Sequence, residues 1–147
     1  MRLRTLFCLS FCTVLFLAAQ TPQDSSAIRS VAVRYADAWY NGNVETMTEV
    51  LHPSAVKRIF GWSREHTKSG NVLVQLNADQ IIDGTKKGIA SRVPEGSRWS
   101  TATILFLYNN SASVKLELFD RYELLHLGRW DGTWKIIDIF WEMKPQD

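Results

Sequence analysis

The fold is decided late in the chain, by the stretch RYELLHLGRWDGTWKIIDIFWEM at residues 121–143. Its two halves are rich in aliphatic and aromatic residues, and Asp131-Gly132 separates them. An Asp-Gly pair between such segments is the strongest short signal of a hairpin, because both positions tolerate the positive φ that the tight turn requires. Residues 121–130 and 134–143 are therefore predicted to pair as antiparallel strands.

A second hairpin precedes the first, with strands at residues 101–108 and 112–118 and a turn at Asn109-Asn110. Two of these strands have apolar residues on both faces, whereas a sheet covered on one side alternates cleanly between apolar and polar. We therefore expect helices to cover one face and a second subunit to cover the other. Strict alternation places Trp134, Ile136 and Phe140 opposite Ile137, Ile139, Trp141 and Met143, and Ile104 and Phe106 opposite Leu105 and Leu107.

The earlier half of the chain has helical periodicity. Apolar residues recur every three or four positions over residues 27–40, a shorter helix is predicted at residues 44–51, and a third begins at Asn77 with Gln80 as its capping-box partner. Residues 55–60 are predicted to form a strand and residues 61–70 a loop. Helices followed by a run of antiparallel strands indicate an α+β fold, with the helices on one face of the sheet.

Residues 1–20 differ from the rest of the chain. A basic start at Arg2 and Arg4 is followed by an apolar run over residues 6–19 and then by polar residues. This is the pattern of a secretory signal peptide, and the run is too short for an ordinary transmembrane helix, which needs about 20 apolar residues. We predict cleavage near Ala19 or Gln20, the alternative being an uncleaved anchor. Residues 21–26 are then a short flexible entry, and residues 27–147 form one domain.

Cleavage changes the charge and the redox chemistry of the chain. Both cysteines, Cys8 and Cys12, lie in the leader, so the mature domain has neither a disulfide nor a thiol nucleophile. The leader also carries two of the 17 basic residues, which leaves 15 basic against 15 acidic. That balance argues against nucleic acid and against an anionic membrane surface as partners. The expected location is periplasmic or extracellular, without stable membrane insertion.

Several short motifs resemble those of a known superfamily. They are Tyr35 with residues 39–43 (WYNGN), residues 51–53 (LHP), residues 122–127 (YELLHL) and residues 131–137 (DGTWKII). Together they are similar to the nuclear transport factor 2-like (SnoaL-like) superfamily, and most similar to its bacterial putative lumazine-binding branch. The resemblance spans residues 27–143. It departs from the family at Arg121-Tyr122, where Asp-Tyr is frequent, with Asp120 displaced by one position.

The resemblance implies a cone-like, curved antiparallel sheet packed on N-terminal helices, with a pocket between them. Members of the superfamily either hold small aromatic or apolar ligands in this pocket or use it for acid/base chemistry. Ketosteroid isomerase, for example, uses a tyrosine, a neutral carboxylic acid and a basic aspartate. The implied function is an exported small-ligand-binding or scaffold domain. The alternative is an acid/base enzyme of the ketosteroid-isomerase, polyketide-cyclase or dehydratase type.

Candidate site residues follow from chemistry and from position. Asp138 lies in mid-strand between apolar residues, where a carboxylate must be paired and where its pKa would rise if it were not. The alternative is that Asp138 is inert, either partly exposed near the edge of the sheet or held by a structural partner such as Arg121 or Arg129. His126 can transfer protons near neutral pH, and Tyr35 lies on the apolar stripe of the first helix, where its hydroxyl can donate to a ligand. The predicted pocket residues are Tyr35, Trp39, Trp62, Trp99, Tyr122, His126 and Asp138.

No metal or cofactor is expected. The histidines His52, His66 and His126 are too widely spaced to form a ligand motif, and no phosphate-binding glycine loop or nucleophile elbow is present. The catalytic candidates of the enzyme alternative are Asp138 or His126 as the base and Tyr35 as the hydrogen-bond donor. The expected partners are a second copy of the chain through the sheet and a small aromatic or apolar ligand.

Overall fold

A computed structural model describes residues 22–60 and 73–144. These residues form three α-helices, two single-turn 3-10 helices and six strands. The helices are α1 (Pro22–Asn41), α2 (Val44–Val50) and α3 (Ala78–Lys86), and the 3-10 turns are Ile89–Arg92 and Glu95–Ser97. The strands are β1 (Leu51–Phe60), β2 (Leu73–Asn77), β3 (Ser100–Tyr108), β4 (Ser111–Leu118), β5 (Arg121–Trp130) and β6 (Thr133–Met143).

The strands form one curved sheet in the order β2-β1-β6-β5-β4-β3. Strands β3 to β6 pair antiparallel in succession, as the two hairpin turns predict, with positive φ at Asn109, Asp131 and Gly132. The expectation of a wholly antiparallel sheet is corrected at one point. β1, the first strand in the chain, pairs parallel with β6, the last. The sheet is therefore mixed, and the α+β class is confirmed.

Helix α1 lies across the inner face of the sheet, against β3, β4 and β6. It ends where predicted, because Gly42 adopts φ +67° and lets the Asn43 amide donate to the Ala38 carbonyl at 2.9 Å. The Asn43 side chain then caps α2 by accepting from the Thr46 amide. The two helices consequently meet at a fixed corner, and the last turn of α1 is held over the sheet.

Two boundaries differ from the sequence prediction. Residues 22–26, expected to be a flexible entry, belong to α1, because Asp24 accepts from Arg129 (2.8 Å) and from Trp134 (3.3 Å) and fixes the helix start to the sheet. The boundary between α2 and β1 also differs, since the helix ends at Val50 and the strand begins at Leu51 rather than at residue 55. The leader (residues 1–20) and the loop predicted at residues 61–70 lie outside the described residues. No helix among the described residues is long and apolar enough to cross a membrane.

Two β-bulges change which side chains face the core. In β6 the register shifts by one residue between Asp138, which pairs with His126, and Ile136, which pairs with Leu127. A bulge of this kind inserts one unpaired residue, here Ile137, and reverses the alternation after it. The predicted faces of β6 are therefore wrong beyond Ile136. The inward residues are Trp134, Ile136, Ile139 and Trp141, all of them buried.

A second bulge at Leu105 in β3 has the same effect. Ile104 pairs with the inward-facing Val114, whereas Phe106 pairs with Ser113 on the outer side. Ile104 and Leu107 therefore pack against the core, and the assignment of Phe106 to the face of Ile104 was wrong. The outer face of the sheet is left with large exposed side chains. They are Phe60, Phe106, Tyr108, Tyr122, Trp130 and Phe140, each 39–60% exposed.

Candidate functional site

Four polar side chains are buried in the core between α1 and the inner face of the sheet. Tyr35 comes from the middle of α1, Lys57 from β1, and Arg121 and Glu123 from β5. Their exposed fractions are 1%, 3%, 5% and 0% respectively. Their positions follow from strand alternation, because Lys57 shares the inward phase of Ala55 and Ile59. We call these four residues the buried cluster.

The Glu123 carboxylate is the centre of the buried cluster. Its Oε2 accepts a hydrogen bond from the Tyr35 hydroxyl at 2.9 Å. Its Oε1 accepts from Lys57 Nζ at 3.1 Å and from Arg121 Nε at 2.8 Å. Lys57 Nζ also donates to the Tyr35 hydroxyl at 2.8 Å, which closes a ring of hydrogen bonds. One carboxylate thus joins α1, β1 and β5.

Aromatic rings surround the two buried cations. Lys57 Nζ lies 5.2 Å from the centroid of the Trp39 ring and 5.5 Å from that of the Tyr35 ring. The guanidinium carbon of Arg121 lies 5.9 Å from the Tyr40 ring and 6.0 Å from the Trp141 ring. The ring faces carry partial negative charge, so they replace part of the hydration that the cations lose on burial.

The electrostatics of the cluster are dominated by burial and by the central ion pairs. Burial acts to raise the pKa of Glu123, but the Lys57 and Arg121 cations outweigh it and hold that pKa below its ordinary value. Burial lowers the pKa of Lys57, against the attraction of Glu123. Burial and the Glu123 charge raise the pKa of Tyr35 well above 10.0. At neutral pH Tyr35 is therefore a neutral donor beside an ionised carboxylate.

The cluster extends from the interior toward the surface through Asp120. The Arg121 Nη1 atom donates to Asp120 Oδ1 at 2.8 Å, and the Asp120 side chain is 26% exposed. Next to this pair lies the buried hydroxyl of Tyr40; its oxygen lies near the Phe119 backbone N–H, and its own O–H reaches no acceptor among the described residues. The site therefore extends from the closed ring of hydrogen bonds at Lys57, in the core, to the partly exposed ion pair of Arg121 with Asp120.

The structure places the predicted site residues on two different sides of the sheet. Tyr35 and Trp39 lie inside, at the buried cluster. His126, Asp138 and Tyr122 lie on the outer face instead. For Asp138 the cause is the bulge at Ile137, which moves it out of phase with Ile136. Tyr35 therefore cannot act together with His126 or Asp138.

On the outer face, Asp138 is held by its neighbours. Its carboxylate accepts from Arg58 on β1 and lies 3.4 Å from Nδ1 of His126. Arg121 and Arg129, the structural partners predicted for Asp138, bind Glu123 and Asp24 instead. Arg58 was missed because only the parallel pairing of β1 with β6 brings it beside this strand.

Trp99 and Tyr122 also lie away from the buried cluster. Their rings enclose the Lys144 ammonium, at 4.9 Å and 4.8 Å from the two centroids, and that ammonium donates to Glu117 at 3.0 Å. The group holds the end of β6 against β4 and β5. That Trp99 and Tyr122 line a pocket stays a prediction, and Trp62 lies outside the described residues.

Sequence reasoning missed Lys57, Arg121 and Glu123. A signal existed, since Arg121 and Glu123 alternate in phase with Leu125 and Leu127, which marks them as inward-facing. Nothing in the sequence, however, shows that Lys57 lies two strands away from Glu123 on the same face. Among the residues described, no group of three or more histidine, cysteine or acidic side chains is placed to bind a metal ion.

The central role of Glu123 predicts a pH-dependent stability. The pKa of Glu123 lies below its ordinary value of 4.5 in the folded protein, so its contribution is complete above about pH 5 and is lost as the pH falls through the folded pKa. Glu123→Gln leaves Lys57 and Arg121 without their shared counter-charge and should lower the free energy of unfolding at pH 7 by about 3–5 kcal/mol. Below pH 4.5 this difference from the wild type should shrink.

Urea unfolding followed by tryptophan fluorescence between pH 3 and pH 7 measures this effect. Glu49→Gln is the matched control, because Glu49 pairs with Arg34 at an exposed site. Its difference from the wild type should stay small at every pH. A Glu123→Gln difference that does not change between pH 7 and pH 3 would contradict the assignment of the charged carboxylate to the core.

Comparison with solved structures shows the nuclear transport factor 2-like fold. A protein of unknown function with this fold from Silicibacter pomeroyi is similar at a TM-score of 0.61 and 12% identity, over 83% of this chain and 97% of that one. One from Shewanella baltica gives 0.60 and 15%, over 84% and 96%. A domain of unknown function with a cystatin-like fold from Nostoc punctiforme gives 0.59 and 20%, over 86% and 80%.

The sequence comparisons agree with the fold. No curated protein matches the chain at a significant level. The sequence model of the family described as "Putative lumazine-binding" matches residues 23–142, which include every helix and strand except the first residue of α1 and the last of β6. The chain therefore belongs to this putative lumazine-binding family of nuclear transport factor 2-like proteins.

Proposed function

We propose that the protein is a small-ligand-binding domain whose ligand contacts the buried cluster. The observation that carries the proposal is a buried lysine, arginine and glutamate between α1 and the sheet, in a core that is mostly apolar. Taking such charges out of water is costly, and well-packed apolar residues in their place are often neutral or stabilising. Perturbed buried groups of this kind concentrate at functional sites.

The walls of the site suit a flat organic molecule. Trp39, Tyr40 and Trp141 present ring faces beside the two cations. The family description names lumazine, a planar heterocycle with two carbonyl oxygens, and such a molecule offers both a face for stacking and acceptors for the donors of the cluster. These contacts support an aromatic ligand, as expected from the sequence, and indicate that the ligand also carries hydrogen-bond acceptors.

A second candidate function is acid/base catalysis at the same cluster. The Tyr35 hydroxyl donates to Glu123 and accepts from Lys57, which gives a continuous path for a proton between three ionisable groups. These residues replace the combination of Tyr35 with Asp138 or His126 that the sequence indicated. An enzyme of this kind would exchange the acidic C–H hydrogen of a bound ketone with deuterium from D2O, whereas a binding domain would leave it in place.

Binding is tested with a small panel of planar compounds. Lumazine, 2-naphthoate and 2-naphthamide are titrated into the protein by calorimetry, with thermal melting as a second readout. At least one should bind saturably, and Tyr35→Phe should weaken that binding about fivefold or more, because it removes a hydroxyl from the cluster. Tyr108→Phe is the control, since Tyr108 is 60% exposed on the outer face. No saturable binding by any member of the panel would refute the proposal.

We also propose that the domain is exported and that two copies pair through the outer face of the sheet. The leader at residues 1–20 supports export. The exposed aromatic residues on β3, β5 and β6 support the dimer, because a monomer seldom leaves so much apolar surface in water. A stable pair buries about 1,200–2,000 Å² in total.

One preparation of the protein tests both the export and the dimer. The full chain is expressed with its leader in a bacterial host, and the protein recovered from the periplasm should begin near Gln20 by mass spectrometry. In light scattering it should have twice the mass of one chain. Phe140→Glu should give a monomer, because Phe140 and Leu124 are paired neighbours on the outer face, while Ile89→Glu on the helical side should not. A wild-type monomer would overturn the dimer, and an uncleaved or retained chain would overturn export.

A further inference from the structure

The outer end of the buried cluster has more hydrogen-bond donors than acceptors. Arg121 carries five N–H groups, and among the described residues it donates only to Glu123 and Asp120. The Tyr40 hydroxyl, in the last turn of α1, is buried beside this guanidinium; its oxygen lies near the Phe119 backbone N–H, and its own O–H reaches no acceptor within the part of the chain described. Buried polar groups are nearly always satisfied, so the unused Tyr40 O–H, the one buried side-chain atom without a partner of this kind among the described residues, indicates that an acceptor binds there beside Arg121.

The acceptor that Arg121 has in this structure is replaceable. Asp120 lies in the turn between β4 and β5, and its side chain is 26% exposed, whereas Arg121 and Glu123 are buried. A carboxylate in a turn at the surface can rotate into water at little cost. Glu123 is different, because it accepts three hydrogen bonds inside the core. Asp120 is therefore the one acidic partner of Arg121 that a ligand can displace.

The charges of the buried cluster indicate the net charge that the ligand should carry. Lys57 and Arg121 bring two positive charges into the core and Glu123 brings one negative charge, so the departure of Asp120 leaves one positive charge uncompensated. A singly charged anion restores the balance, and a dianion such as a phosphate monoester exceeds it. A carboxylate also matches the planar, two-pronged donor geometry of a guanidinium.

We propose that Arg121 and Tyr40 form an anion subsite that takes the carboxylate of a small aromatic acid, with Asp120 occupying it in the unliganded protein. The inference rests on the proposed ligand-binding function and names the class of ligand. The carboxylate accepts from the guanidinium and from the Tyr40 hydroxyl. The ring of the acid then packs beside Tyr40 and Trp141, whose rings already flank Arg121.

The experiment compares 2-naphthoate with 2-naphthamide, which has the same ring system without the charge. In calorimetry the wild type should bind the acid at least about tenfold more tightly than the amide. Tyr40→Phe should weaken binding of the acid about five- to tenfold. It should change the melting temperature little, because the O–H that it removes has no acceptor in the described part of the chain. Asp120→Asn should strengthen binding of the acid, since the competing carboxylate is gone.

Two control variants accompany these changes. Tyr108→Phe alters an exposed tyrosine, and Asp83→Asn alters an exposed aspartate that pairs with Lys87. Neither should change the affinity for 2-naphthoate. Equal affinity for acid and amide would overturn the anion subsite and leave the proposed function standing. If neither Tyr40→Phe nor Asp120→Asn changes the affinity for the acid, the carboxylate binds elsewhere. That result would also overturn the anion subsite. No binding of any compound in the panel would refute the proposed function itself.

Discussion

The structure depends on one carboxylate in the core. Glu123 binds Tyr35 from α1, Lys57 from β1 and Arg121 from its own strand, and these contacts join the helix layer to two strands that are not adjacent in sequence. A hydrophobic contact in the same place would hold the layers together without fixing their relative position. Hydrogen bonds to a charged group are directional and short, so they also fix how α1 lies over the sheet.

The β-bulges determine which polar side chains face the core and which lie on the outer face of the sheet. Without the extra residue at Ile137, Asp138 would face the core together with Ile136, and His126 would have no acidic neighbour across the strand. With it, the interior of β6 remains apolar and the charge of the site comes from β1 and β5. The outer face acquires the group formed by Arg58, Asp138 and His126, surrounded by exposed aromatic side chains.

Much of the fold could be predicted from local sequence, and the site could not. The turns at Asn109-Asn110 and Asp131-Gly132 and the cap at Asn77 depend on residues close together in the chain, and all three form as expected. The bulges have no local signal, because Ile137 and Leu105 are ordinary strand residues. The pairing of Lys57 with Glu123 requires the parallel contact of β1 with β6, which is a property of the topology. Sequence reasoning therefore found Tyr35 and missed its partners.

The burial of Lys57 is the central claim, and chemical modification of lysines tests it most directly. The native protein is treated with a water-soluble acetylating reagent, and the rate at each lysine is followed by mass spectrometry. Lys87, whose side chain is 67% exposed, should react quickly, whereas Lys57, at 4%, should stay unmodified until the protein is unfolded in urea. Acetylation of Lys57 at the rate of Lys87 under native conditions would contradict the account.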